Sequence, residues 1–316
     1  MSTPTPSCTR PPERAAEHAA GFTDLLAAEW IKMRSLRSTY WVLVLSAVIA
    51  IAINVNGVHS DFPYIDQPQP PLPPPSGEPS YTYDPLFHGL SSIAADVMAL
   101  AAGSFGAITI FGEYATGMIR TTFAAVPGRR AVITAKVALV AVITLALGAI
   151  VSATSFFTIN AMLASRDVGL SIQDPGCLRA VAAYALVVPV CALIGMAFGA
   201  VLRHATASIV AVVGILFILP LLFGGDRYRV LREIGNHLPL AAQARLSLNP
   251  DSATSLGAHP GTITGSWIAL GAWALVSVIV AVTVVRRRDV WGRHGGRRAC
   301  RQARRARGRR AAVSQR

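Results

Sequence analysis

The chain has 316 residues, of which 53% are hydrophobic and only 14% charged, with a mean hydropathy of +0.47. Soluble globular proteins carry about 25% charged residues, so this composition excludes a water-soluble surface and puts the chain in the membrane class. The net charge of +13 does not mark a nucleic-acid binder, because thirteen arginines and one acid between Arg286 and Arg316 supply +12 of it and the other 285 residues sum to +1.

Residues 1–21 are polar, with Pro and Thr, and read as a disordered N-terminus. No cleavable signal peptide is expected, since the first apolar run begins near Tyr40. Phe22–Arg37 reads as an amphipathic helix: Phe22, Leu25, Leu26, Trp30, Met33 and Leu36 follow a 3–4 spacing, flanked by Asp24, Lys32, Arg34 and Arg37. The segment 22–39 would lie along the inner membrane face, or extend the first span as an ordinary helix.

Six apolar stretches follow, each set against the ~20 residues needed to cross a bilayer. They are Tyr40–Val58, Leu90–Phe111, Val132–Phe157, Leu178–Leu202, Thr206–Gly224 and Trp267–Val285. The fold class expected is therefore an all-α integral membrane domain over 40–285. Pro189 and Pro220 should bend their spans. The Gly195…Gly199 pair of the fourth span and the Ala99–Gly103–Ala107 ridge of the second permit close helix packing, within one subunit or between two.

Lysine and arginine counts orient the spans. The segment before Tyr40 carries five, the 59–89 loop none, the 112–131 loop three, the 158–177 loop only Arg166 and the tail thirteen. Both termini are thus expected in the cytoplasm, in a multi-pass protein of the cell membrane. The 225–266 loop, with four arginines, resists the alternation but is long, so its charges weigh less. Nine prolines in the 59–89 loop, six of them within 68–75, favour polyproline II, as a spacer or a ligand motif. Tyr228–Ile234 and Leu240–Leu248 have the apolar spacing of short helices on the outer mouth. The 286–316 tail reads as a disordered basic extension that either binds anionic lipid or a partner, or only reinforces topology.

Signatures of catalysis are missing. There is no G-x-x-x-x-G-K-[ST], HExxH, CxxC or GxSxG, and Cys8, Cys177, Cys191 and Cys300 are scattered. No enzyme activity, cofactor or metal site is expected. Asp96, inside the second span, is either a cavity-lining or gating residue or a carboxylate reaching the outer interface. Lys136, five residues into the third span, is expected to snorkel to the inner interface.

The inner loop after the second span mixes charge and apolar residues: Phe111-Gly-Glu113-Tyr114-Ala-Thr-Gly117-Met-Ile-Arg120, then Pro127-Gly-Arg129-Arg130, then Ala135-Lys136. Such a hairpin suits the receipt of force from a soluble partner, or merely fixes topology. The pattern E-Y-x-x-G-x-x-R … P-x-R … A-K resembles the permeases of the ABC-2 family of ATP-binding cassette transporters. Glu29-Trp30-x-Lys32-x-Arg34 before the first span and Leu238-Pro239-Leu240 before the last are similar to further family segments. The resemblance spans roughly residues 22–290; the Pro-rich loop and the arginine tail fall outside it.

The resemblance implies an ABC-2 (type V-like) permease architecture of six spans with an N-terminal interfacial helix. It implies an exporter subunit that pairs with a second copy or a related permease, and with separate ATPase subunits that hydrolyse ATP. Glu113, Tyr114, Gly117, Arg120, Pro127 and Arg129 would be the ATPase-coupling positions. Membrane lipids are the remaining partner, and nucleic acid is not. Two other readings stay open: a non-transport membrane protein (immunity, sensor or scaffold subunit), and an ATP-independent secondary transporter, against which the scarcity of midplane charge speaks.

Overall fold

A computed structural model describes residues 21–35, 37–65, 86, 89–118, 129–164, 170–223, 228–248 and 261–288. The expectations for 1–20, for the proline run of the 59–89 loop, for Arg120 and Pro127, and for the tail beyond 288 lie outside the described residues. Within them all regular structure is helical: α1 Phe22–Ser35, α2 Arg37–Ile65, α3 Ser92–Ala115, α4 Arg129–Ala164, α5 Cys177–Leu202, α6 Ala205–Phe223, α7 Arg229–Asn236, α8 Pro239–Ser247 and α9 Ile263–Arg288. Six of these, α2 to α6 and α9, are long and apolar enough to cross a membrane. A hydrocarbon core offers no water to unpaired backbone groups, and a helix satisfies its own.

Helix α5 is the axis of the bundle. It packs against α3, α4, α6, α8 and α9, and 72% of its apolar window is buried against 17% for α6. The tightest contact is α3 on α5. A methyl on Gly195 would overlap the Gly103 carbonyl, and one on Gly106 would overlap the Ala192 carbonyl. The glycine pair of the fourth span and the small-residue ridge of the second are therefore the two sides of one intrasubunit contact, in which backbone meets backbone. Met98, Phe105, Tyr184 and Met196 fill the space around it and are buried.

Polar groups tie the two ends. At one end Asn54 of α2 donates its amide to Ser155 Oγ of α4 (3.0 Å) and accepts from the backbone N–H of Ser91 (3.0 Å), the N-cap of α3. Near it, the guanidinium of Arg179 on α5 grips the C-terminal carbonyls of α8, with Nε on Leu246 O (3.0 Å) and Nη2 on Leu248 O (2.6 Å). A cation on the last carbonyls of a helix meets the negative end of its dipole. Helix α8 is thereby held between α5 and α9, burying Leu240, Ala242 and Leu246.

Three elements differ from the sequence expectation. Helix α2 continues through His59 and Pro63 to Ile65, so the loop expected from residue 59 begins later. Helix α4 runs beyond the expected Val132–Phe157 at both ends; its 36 residues make about 54 Å at 1.5 Å per residue against a ~30 Å hydrocarbon core, and at the Asn54 end Asn160 Oδ1 accepts from Leu170 N at 2.7 Å. The fifth span does not simply bend at Pro220. Its turn Gly214–Ile218 is π-helical, which accommodates the missing N–H and the ring of the proline one turn on. Pro189, in contrast, lies within an uninterrupted α5.

The α3–α5 contact predicts the cost of added bulk. Gly195→Ala and Gly106→Ala should each destabilise by about 1–3 kcal/mol through overpacking. Gly271→Ala on α9, where an added methyl meets nothing within 4 Å, should be neutral or stabilising. Unfolding midpoints of the three purified variants in detergent read the difference; equal midpoints would contradict the contact.

Candidate functional site: a buried cluster of four charges

The opposite end of the bundle carries α1, the end of α3 and the start of α4. On α1, Leu25, Glu29 and Met33 recur every four residues and form its buried face. Leu25 packs on Val132 and Ala135 of α4. Phe22, Trp30 and Ile31 point outward, 48%, 44% and 69% exposed. The apolar stripe expected from the sequence is thus split: Leu25 and Met33 face the bundle, Phe22 and Trp30 do not, and an acid occupies the centre of the buried face.

That acid has cations waiting for it. The Lys136 ammonium lies 2.6 Å from Glu29 Oε2 and 2.8 Å from Glu113 Oε1, and Lys32 lies 2.7 Å from Glu29 Oε1 and 3.5 Å from Glu113 Oε1. Glu29 and Lys136 are each 2% exposed and Glu113 is 7% exposed, while Lys32 closes the cluster at its rim with its side chain 29% exposed. Two carboxylates and two ammonium groups alternate, and their formal charges cancel. Each charge would be costly to bury alone; together each has two opposite neighbours. Lys136 does not snorkel as the sequence suggested. Helix α1 folds over the start of α4 and brings Glu29 to the amine, so the charge is met where it stands.

The electrostatics follow the contacts. Burial alone would raise the Glu29 carboxyl, but Lys136, then Lys32, outweigh it and hold the group below its ordinary 4.5. Burial would lower the Lys32 amine, but Glu29, then Glu113, outweigh it and hold the group above 10.5. The chain has 27 arginines and two lysines, and both lysines are in this cluster. A compact ammonium on a flexible stem fits between two carboxylates, whereas a planar guanidinium demands room for its fork.

The other sequence-nominated residues distribute around this core. Tyr114 packs beside the bundle core, and the Arg203 guanidinium lies 4.4 Å above its ring. Gly117 has φ +71°, a left-handed turn that ends α3 and suits glycine. Arg129 opens α4. Asp96 is elsewhere: half-buried on α3, toward Tyr184 and Cys191 of α5, and no cation pairs with it among the described residues. Among the described residues no three His, Cys, Asp or Glu side chains group in a way that would hold a metal ion.

Three members were not nominated as site residues from the sequence: Glu29, Lys32 and Lys136, the last read only as a snorkelling lysine. The signal for Glu29 was present: it stands four residues from both Leu25 and Met33, an acid on an otherwise apolar stripe.

Two predictions follow from the geometry. Lys136→Met leaves two buried carboxylates without their main partner and should cost about 3–5 kcal/mol; Lys136→Arg should recover little of it. Thermal unfolding in detergent checks both, and a fully stable arginine variant would contradict the fit argued for the ammonium. For pH, the depressed Glu29 carboxyl contributes stability above 4.5 that is lost as pH falls through its lower folded value, and the raised Lys32 amine contributes below 10.5 and loses it as pH rises further. Hydrogen-exchange protection of α1 amides should therefore hold from about pH 5 to pH 10 and decline below about pH 4.

Compared with known proteins, the chain matches no protein-family model and no curated sequence.

Proposed function

We propose that the chain is the permease subunit of an ATP-driven exporter of the ABC-2 kind, and that the four-charge cluster couples it to a separate ATPase. One observation carries this reading. Glu113–Tyr114 and Lys136, from the motif that carries the resemblance, and Glu29–Lys32, from a weaker matching segment, are apart in sequence and converge in a single cluster. A push on α1 or on the segment after Gly117 is delivered through ion pairs directly to α3 and α4, two of the membrane-crossing helices. Ion pairs of 2.6–2.8 Å resist displacement more stiffly than apolar contact alone.

In this reading the Lys136 end faces the cytoplasm, in line with the lysine and arginine distribution. Helix α1 lies along the inner membrane face with Phe22, Trp30 and Ile31 toward lipid, which their exposure supports. The transmembrane pathway forms with a second permease, alike or related, and ATP is hydrolysed by the partner. Asp96 lines that pathway.

The test is co-expression of the full chain with a P-loop ATPase encoded beside it. Co-purification, and ATP hydrolysis stimulated by the permease, are expected. Glu113→Gln and Lys32→Ala each leave part of the cluster intact. They should reduce stimulated hydrolysis and transport together by about tenfold, the scale of one lost charge-assisted contact, while insertion persists. Complex formation with unaltered coupling in both variants would sink the role of the cluster; no association with any such ATPase would favour a sensor, immunity or scaffold subunit.

A further inference from the structure

The turn between α5 and α6 consists of Arg203 and His204 alone. Arg203 is the only non-glycine residue with positive φ among the described residues, at +54°. Its backbone N–H donates to Gly199 O at 3.1 Å and closes the end of α5 in the manner of a left-handed cap. Glycine or asparagine is the usual occupant of such a position, because a side chain there is strained. An arginine at this place therefore calls for a role of its side chain.

The side chain is fixed on one face and unmet on one edge. Its guanidinium lies flat enough over Tyr114 for a cation–π contact, 4.4 Å from the ring centre. Yet Nε and Nη2 are shielded from water and have no hydrogen-bond partner among the described residues. These two nitrogens share one edge of the guanidinium, the edge that holds two oxygens at once. Arg179, at the other end of α5, shows what that edge does when it is filled: its Nε and Nη2 hold two carbonyl oxygens at 3.0 and 2.6 Å. Glu113, next to Tyr114 in the chain, is engaged with Lys32 and Lys136, and among the described residues no acid pairs with Arg203.

Its surroundings select the ligand. The turn joins two apolar helices of membrane-spanning length, at the depth of lipid headgroups. Leu202 is 40% exposed, His204 and Ala205–Ala207 are exposed, and α6 leaves most of its surface uncovered by protein. Arg203 itself is only partly buried, and a change of its side-chain torsions that carries the open edge to this surface is part of the proposal. We propose that Arg203 is a binding site for the phosphate of an anionic phospholipid, held bidentately through Nε and Nη2 and positioned by Tyr114. The site stands independently of the transport reading.

The experiment uses the purified full chain in a neutral detergent, with thermal unfolding followed as lipid is added. Short-chain phosphatidylglycerol should raise the midpoint, and phosphatidylcholine, whose phosphate charge is compensated, should raise it much less. In Arg203→Gln the half-saturating phosphatidylglycerol concentration should rise by about tenfold, as expected for loss of a charge-assisted pair of hydrogen bonds. Tyr114→Phe keeps the ring and should behave as the parent, whereas Tyr114→Leu should weaken the lipid response. Because other basic residues also attract anionic lipid, the reading is the difference between parent and variant at the same salt. An equal lipid response in the parent and Arg203→Gln overturns the site. A midpoint rise from inorganic phosphate alone that matches phosphatidylglycerol and is lost in Arg203→Gln overturns the lipid as its source.

Discussion

A single ammonium group, that of Lys136, sits between the carboxylates of Glu29 and Glu113 where water does not reach. The packing of this end of the protein hangs on that arrangement. Helix α1 has little apolar surface with which to hold itself to the bundle: Leu25 and Leu26 on Ala131, Val132 and Ala135, with Met33 joining the main core. The ion pairs supply what the apolar contact lacks, and they supply direction as well as energy. An apolar patch tolerates sliding, whereas a carboxylate pinned between two lysines fixes the rotation of α1 about its own axis. Removal of one partner costs more than the pair contributes, because the remaining charge cannot be hydrated. The site is therefore stable as a unit and least tolerant of losing Lys136, which bridges both carboxylates.

The rest of the bundle uses an opposite device. Where α3 crosses α5 there are no charges and almost no side chains, and the backbones approach until a methyl group would not fit. Dispersion and helix–helix proximity hold the two most buried spans together, as expected in lipid, where burying apolar side chains gains little over leaving them in acyl chains. This places a rigid seam through the centre. The less buried α2, α6 and α9 surround it, tied through Asn54, the Arg203 turn and α8.

The six spans were legible because membrane solvation imposes a length and an apolar composition that survive any detail of packing. The Glu113 hairpin was legible as a place of mixed charge. Its partners were not, because pairing across 81 or 23 residues leaves no local pattern. Lys136 was misread for the same reason: without knowledge that α1 folds back, snorkelling is the only route by which a lysine near a span end reaches a counter-charge or water. The glycine motifs announced a close contact but not its partner. The π-turn before Pro220 was seen only as a bend, since the sequence shows the missing N–H and not how the preceding turn absorbs it.

The length of α4 has a mechanical meaning. One continuous rod carries Lys136 near one end and Asn160 near the other, about 36 Å apart along the axis at 1.5 Å per residue. Its middle is clamped on α5, where Gly148 meets the Ala185 backbone. A rod gripped at its middle behaves as a seesaw: a tilt of about 10° moves each end by about 3 Å, in opposite senses, over that span. A displacement imposed where Glu29 and Glu113 hold the lysine would thus arrive, inverted, in full at Asn160 and at roughly half its size at Ser155.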